Sequence, residues 1–141
     1  MNWIVYAMGT ALALAAADFL AKMASGKISS SVAFLLYACS TFLAGTLWVL
    51  WQRTHHVPQH ANPAGILLSI GVGIAFSFVT GGLFITYSAG APISLASPFI
   101  RLGGLLLASL AGILLLREPI TWRYALGVIL AVSGVYLIIT R

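Results

Sequence analysis

The sequence predicts an all-α membrane protein with five transmembrane helices. Three observations predict it. Of 141 residues, 61% are hydrophobic and 6% are charged, and mean hydropathy is +1.06, a balance far from that of soluble domains. A bilayer core of about 30 Å takes about 20 apolar residues per helix, and five such segments follow one another through short connections. Each apolar run is continuous, without the alternation that the strands of a membrane barrel carry.

The first helix is expected over residues 3–23, stopped by Ser25-Gly26-Lys27. Ala15-Ala16-Ala17 resembles a signal-peptidase site, but Met1-Asn2 gives no basic n-region and the apolar run is long for a signal sequence. The helix is therefore expected to be retained. The second spans 31–51, before a polar run from Gln52 to Pro63, and the third spans 64–88, ended by Gly90-Ala91-Pro92. The fourth spans 92–116, where Arg117-Glu118-Pro119 stops it because proline cannot continue a helix. The fifth spans 121–140. Together they make one domain over 1–141.

Five spans put the termini on opposite faces of the membrane, so each loop has a side. Arg53, Arg117 and Arg123 lie on the N-terminal side; Lys22, Lys27 and Arg141 lie on the other. Lys and Arg asymmetry sets insertion, and here there is none, which favours insertion in both orientations and an antiparallel homodimer. Trp3, Trp48, Trp51 and Trp122 all fall near the N-terminal side, and an inverted pair would give both interfaces a tryptophan belt. The bland alternative is a single orientation guided by the first helix or by a partner.

On the fourth helix, Ser94, Ser97, Arg101, Gly104, Ala108 and Ala111 recur at spacings of three and four, a small and polar stripe. Similar stripes run through Ser69, Gly73, Ser77, Thr80 and Ser88 and through Tyr37, Thr41, Gly45 and Trp48; there, ordinary helix packing is an equally good reading. Arg101 tips the balance for the fourth. It lies about 13 Å beyond Pro92, near the midplane, where even the lenient insertion scale charges roughly 2.5–3.5 kcal/mol for it.

The chain has two acids. Glu118 lies at the far end of the same helix and reads as a structural group of the turn, near Arg123. Asp18, roughly 6 Å in from the Lys22 end of the first helix, is the better partner for Arg101. Its local competitor is Lys22, four residues on and in the favourable acid-before-base order. In that case backbone carbonyls would satisfy Arg101, among them that of Ser94, to which Pro98 brings no N–H. Intramembrane charges mark pathways by default. Asp18 is the group able to exchange a proton, and Arg101, permanently charged, the one to attract an anionic group.

These residues carry a resemblance. Gly90-Ala91-Pro92-Ile93-Ser94-Leu95-Ala96-Ser97-Pro98, the turn Leu115-Leu116-Arg117-Glu118-Pro119-Ile120-Thr121, and Gly127 with Gly134-Val135 resemble the C-terminal part of an EamA-type module of the drug/metabolite transporter superfamily. Ala16 to Lys22 is similar to the end of that family's first helix. Larger members hold two modules in inverted orientation; this chain resembles the single-module, five-helix branch. Members of that branch often carry a basic residue early in the fourth helix, as Arg101 does, with an acid just before it, where this chain has Ile100. That departure directs the search for a partner to the first helix. Arg117 stands where the family's turn usually has glycine, so no special backbone geometry is expected there.

The last helix, with Gly127, Leu130 and Gly134, also resembles the helix by which small multidrug resistance transporters dimerise. Small residues let helices approach closely in lipid, and packing within the chain explains the stripe equally well without the resemblance.

Other classes find little support. Lone Cys39 makes no intrachain disulfide. His55, His56 and His60 have no carboxylate or cysteine nearby to complete a metal site and read as a solvated loop. There is no nucleophile elbow, phosphate loop or paired carboxylates, so no enzyme and no cofactor is expected. The net charge of +5 follows from few acids and does not imply nucleic acid.

The expectation is a plasma-membrane transporter of small metabolites or drugs, an exporter working by alternating access as an antiparallel homodimer. Asp18, Arg101, Ser94 and Ser97 line its pathway. The alternatives are a proton-coupled cation antiporter using Asp18, or a non-transporting membrane subunit that needs a related partner chain.

Overall fold

A computed structural model describes residues 3–140; Met1, Asn2 and Arg141, the last counted in the charge balance, lie outside the described residues. Five helices follow in order: α1 Trp3–Ala24, α2 Ser30–Thr54, α3 Pro63–Ser88, α4 Ile93–Leu115 and α5 Trp122–Ile139. All five are long and apolar enough to cross a membrane. They fall in two compact units, one up to Gly90 and one from Ala91 onward.

In the first unit, α1 and α2 both pack on α3. Gly26, with φ of +77°, turns the chain between α1 and α2, and the Lys27 N–H donates to the Ala24 carbonyl at 3.0 Å. α2 runs three residues beyond the expected end, through Gln52, Arg53 and Thr54. Apolarity marks where a helix leaves the lipid; Gln and Arg are good helix formers that extend it into the interface. The helix closes on His55 and His56. His56 takes a left-handed φ of +53°, its N–H donates to Arg53, and that of Val57 donates to Gln52, the paired bonds of a Schellman ending. α3 starts on Asn62, whose Oδ1 accepts from the Gly65 N–H at 2.6 Å, with Pro63 in the first turn.

Burial in this unit is one-sided along the helices. Residues 3–17, 35–51 and 63–79 are exposed throughout, as membrane-facing or partner-facing surface must be in an isolated protomer. The buried residues Asp18, Ala33 and Tyr87 all sit toward the opposite end, where the Ser30 and Ser88 hydroxyls meet at 3.0 Å.

In the second unit, α4 packs on α5. α4 starts after Pro92 and carries Pro98 inside it. Its end corrects an expectation. Arg117 adopts a left-handed φ of +55°, so the backbone shape usually given to glycine is present with arginine in it. Here the Gly112 carbonyl accepts from both the Leu116 and the Glu118 N–H groups. Thr121 then caps α5, its Oγ1 accepting from the Tyr124 N–H at 3.2 Å, which is the physical use of a hydroxyl at that place in the turn.

Hydroxyls inside the spans are largely satisfied by their own helices. Thr10 donates to Tyr6, Thr41 to Tyr37, Thr46 to Phe42, Ser77 to Gly73 and Ser133 to Ile129, all at 2.7–2.9 Å. Such bonds to the carbonyl four residues back leave no donor stranded in lipid. All four tryptophans are exposed, between 58% and 73%, as interfacial anchors require.

Candidate functional site

Two places in the membrane-spanning part bring polar or charged side chains together. The first is the end of the α1–α3 unit. Asp18 is 4% exposed, the buried residue of α1, in a helix whose other side chains are mostly exposed. Lys22, one turn on and half-buried, has its Nζ 5.8 Å from the centroid of the Tyr87 ring. That is within cation–π range. Tyr87, on the last turn of α3, is 1% exposed. The Ser30 hydroxyl at the start of α2 lies 3.5 Å from the Phe84 carbonyl and 3.0 Å from the Ser88 hydroxyl, so all three helices contribute to this end.

Sequence reasoning singled out Asp18 and Lys22 but missed Tyr87. Its signal was weak: a tyrosine in the last apolar turn reads as an interfacial aromatic. Only the parallel course of α1 and α3 brings it to Lys22.

The second place is α4. Ser94, Ser97 and Arg101 occupy positions i, i+3 and i+7 of one helical face, with Ser97 and Arg101 half-buried and Ser94 exposed. Arg101 stands about 12 Å from the start of α4 by the helical rise, within the middle of the span. Asp18 belongs to the first unit and Arg101 to the second.

Glu118 is structural in its position. Its Oε2 would lie 2.8 Å from a Cβ added to the buried Gly112, so the carboxylate rests on the last turn of α4. A small recess of about 80 Å³ adjoins it, lined by Ser109, Ile113 and Tyr124 among others.

A sequence model of the EamA-like transporter family matches residues 1–140. The chain belongs to this family. It is a transporter-family protein, not an enzyme, and with five spanning helices a multi-pass membrane protein. No curated protein and no solved structure matches the chain.

For an EamA-like chain, the remaining motifs find mundane places. His55 stacks on Trp51 with ring centroids 4.5 Å apart, and its Nδ1 lies 2.9 Å from the Trp51 carbonyl oxygen. The histidine pair thus finishes α2. Among the described residues no cluster of three His, Cys, Asp or Glu groups is placed to hold a metal. On α5, a Cβ added at Gly127 or Gly134 would meet nothing within 4 Å, and Leu130 is 66% exposed. The packing of α5 on α4 therefore does not use this face.

Proposed function

We propose that the chain, acting as a single module over 1–141, is a secondary exporter of small metabolites in the cell membrane, working by alternating access as an antiparallel homodimer. The observation that carries this reading is Asp18, a carboxyl group buried within a membrane-spanning helix of an EamA-like chain. Ionisable groups at such depth are expensive and mark pathways. Asp18 and Arg101, with the Ser94 and Ser97 hydroxyls, line the pathway of the assembled transporter, Arg101 attracting an anionic group of the substrate. The face of α5 carrying Gly127, Leu130 and Gly134 joins the protomers; it is open in the single chain and small enough for close approach. Balanced Lys and Arg counts supply both orientations, and inverted repeats around a midplane site are a common build of secondary transporters.

The burial of Asp18 also favours a second reading, a small-multidrug-type antiporter in which its carboxyl group exchanges a proton for a cation. Export from cells expressing the chain separates the two. A metabolite exporter with an anionic handle loses export in Arg101→Ala, whereas a proton-coupled cation antiporter loses the pH dependence of export in Asp18→Asn. Export of both metabolites and cationic dyes unchanged in both variants overturns both readings.

A further inference from the structure

The two ends of the α1–α3 unit are built differently. Toward the Trp51 end residues 3–17, 35–51 and 63–79 are all exposed, whereas at the Lys22 end lie the buried groups Asp18, Ala33 and Tyr87. Two of the contacts at this end join side chains of different helices. The Ser30 and Ser88 hydroxyls join α2 to α3. Lys22 over the Tyr87 ring joins α1 to α3.

The chemistry of the second contact is unusual for a membrane helix. A lysine in the last turn normally extends its stem so that the ammonium reaches the headgroups. Here the ammonium is turned onto the face of a ring that is 1% exposed, where partial removal of water strengthens the attraction between a cation and the ring quadrupole. Lys22 also lies one turn nearer the helix end than Asp18, on the same face. The Lys22–Tyr87 contact therefore lies between the level of Asp18 and the end of α1.

We propose that Lys22 and Tyr87 form a latch that closes this end of the protomer over Asp18, with Tyr87 as the positioning residue that seats the Lys22 ammonium. With Lys22 seated, α1 and α3 are held together and the end is shut. When the ammonium leaves the ring, α1 separates from α3 and water reaches the Asp18 level. The meaning of this for transport rests on the proposed exporter, in which Asp18 lines the pathway; the latch itself is measurable without any substrate.

The test uses the full chain in lipid nanodiscs, with Cys39→Ser to remove the native thiol and Ala33→Cys as a reporter at the closed end, where Ala33 is 7% exposed. A water-soluble maleimide labels the reporter slowly in this background. Lys22→Met, which keeps the length of the side chain, and Tyr87→Leu, which stays apolar, remove the cation or the ring and raise the labelling rate about tenfold, in line with loss of a partly desolvated cation–π contact. Lys22→Arg and Tyr87→Phe, which keep them, leave the rate unchanged. The double variant Lys22→Met/Tyr87→Leu labels no faster than either single one. Equal rates in Tyr87→Leu and Tyr87→Phe, or effects that multiply in the double variant, overturn the latch. If either apolar variant loses its monodisperse elution, Lys22→Gln and Tyr87→Ile replace them under the same criteria. An unchanged rate refutes the latch whatever export shows, and a failure to find export leaves a positive labelling result standing.

Discussion

Replacing Arg117 with glycine should leave the protein more stable than replacing it with alanine, although both changes remove the same charge. Arg117 holds a φ of +55°, where the Cβ of an L-residue crowds the neighbouring carbonyl and costs roughly 1–2 kcal/mol. Glycine relieves that cost but gives the unfolded chain more freedom, returning about 0.5–1 kcal/mol. The backbone gain is therefore about 0.5–1 kcal/mol by this difference. The charge acts the other way, since a cation just beyond the C-terminus of α4 interacts favourably with the helix dipole, by about 0.3–1 kcal/mol. Arg117→Ala removes the same charge and keeps the strained backbone, so the comparison of glycine with alanine at this position isolates the conformational part. Reversible unfolding of the purified protein in mixed detergent micelles reads both. Arg117→Gly should be more stable than Arg117→Ala by about 0.5–1 kcal/mol. If the two variants are equally stable, or alanine is the better, Arg117 does not carry the strain assigned to it.

In the proposed homodimer, Gly134→Leu should weaken association at least about tenfold by filling the small-residue face of α5, while the single chain unfolds as before, because a Cβ there meets nothing within 4 Å; resonance energy transfer between labelled copies in nanodiscs measures the first and detergent unfolding the second. Loss of Arg117 to alanine leaves two basic residues on the N-terminal side against three on the other, so a C-terminal topology reporter, which the proposed dual insertion divides evenly in the parent, should move toward the cytoplasm. Asn62→Ala removes the acceptor for the Gly65 N–H and should cost about 1 kcal/mol of stability, read by the same unfolding assay, with export unchanged.

The spans were legible in the sequence because hydrophobicity and length are what a bilayer demands of a helix, and all five expected segments coincide with helices to within a few residues. The helix ends were less legible. Two of them rest on residues with positive φ that are not glycine, His56 and Arg117, and nothing in either side chain announces a left-handed backbone. Thr121 was visible as the hydroxyl of a familiar turn, but its role as the cap of α5 needed the Tyr124 N–H beside it. Asp18 was legible as a misplaced charge in an apolar run. Tyr87 was not, because its importance comes from α1 packing on α3, a relation between segments far apart in the chain.

The hydroxyls bonded to their own helices bear on how the protein is made. Thr41, Thr46, Ser77 and Ser133 would each raise the cost of releasing a newly made protomer into hydrocarbon if they waited for a partner to supply an acceptor. Since each already donates to a carbonyl four residues back, a solitary protomer can leave the insertion machinery and diffuse in the bilayer with those donors satisfied. For the proposed homodimer, assembly would then be a second stage, separate in time from insertion, with a yield set by how often two copies meet in the plane of the membrane.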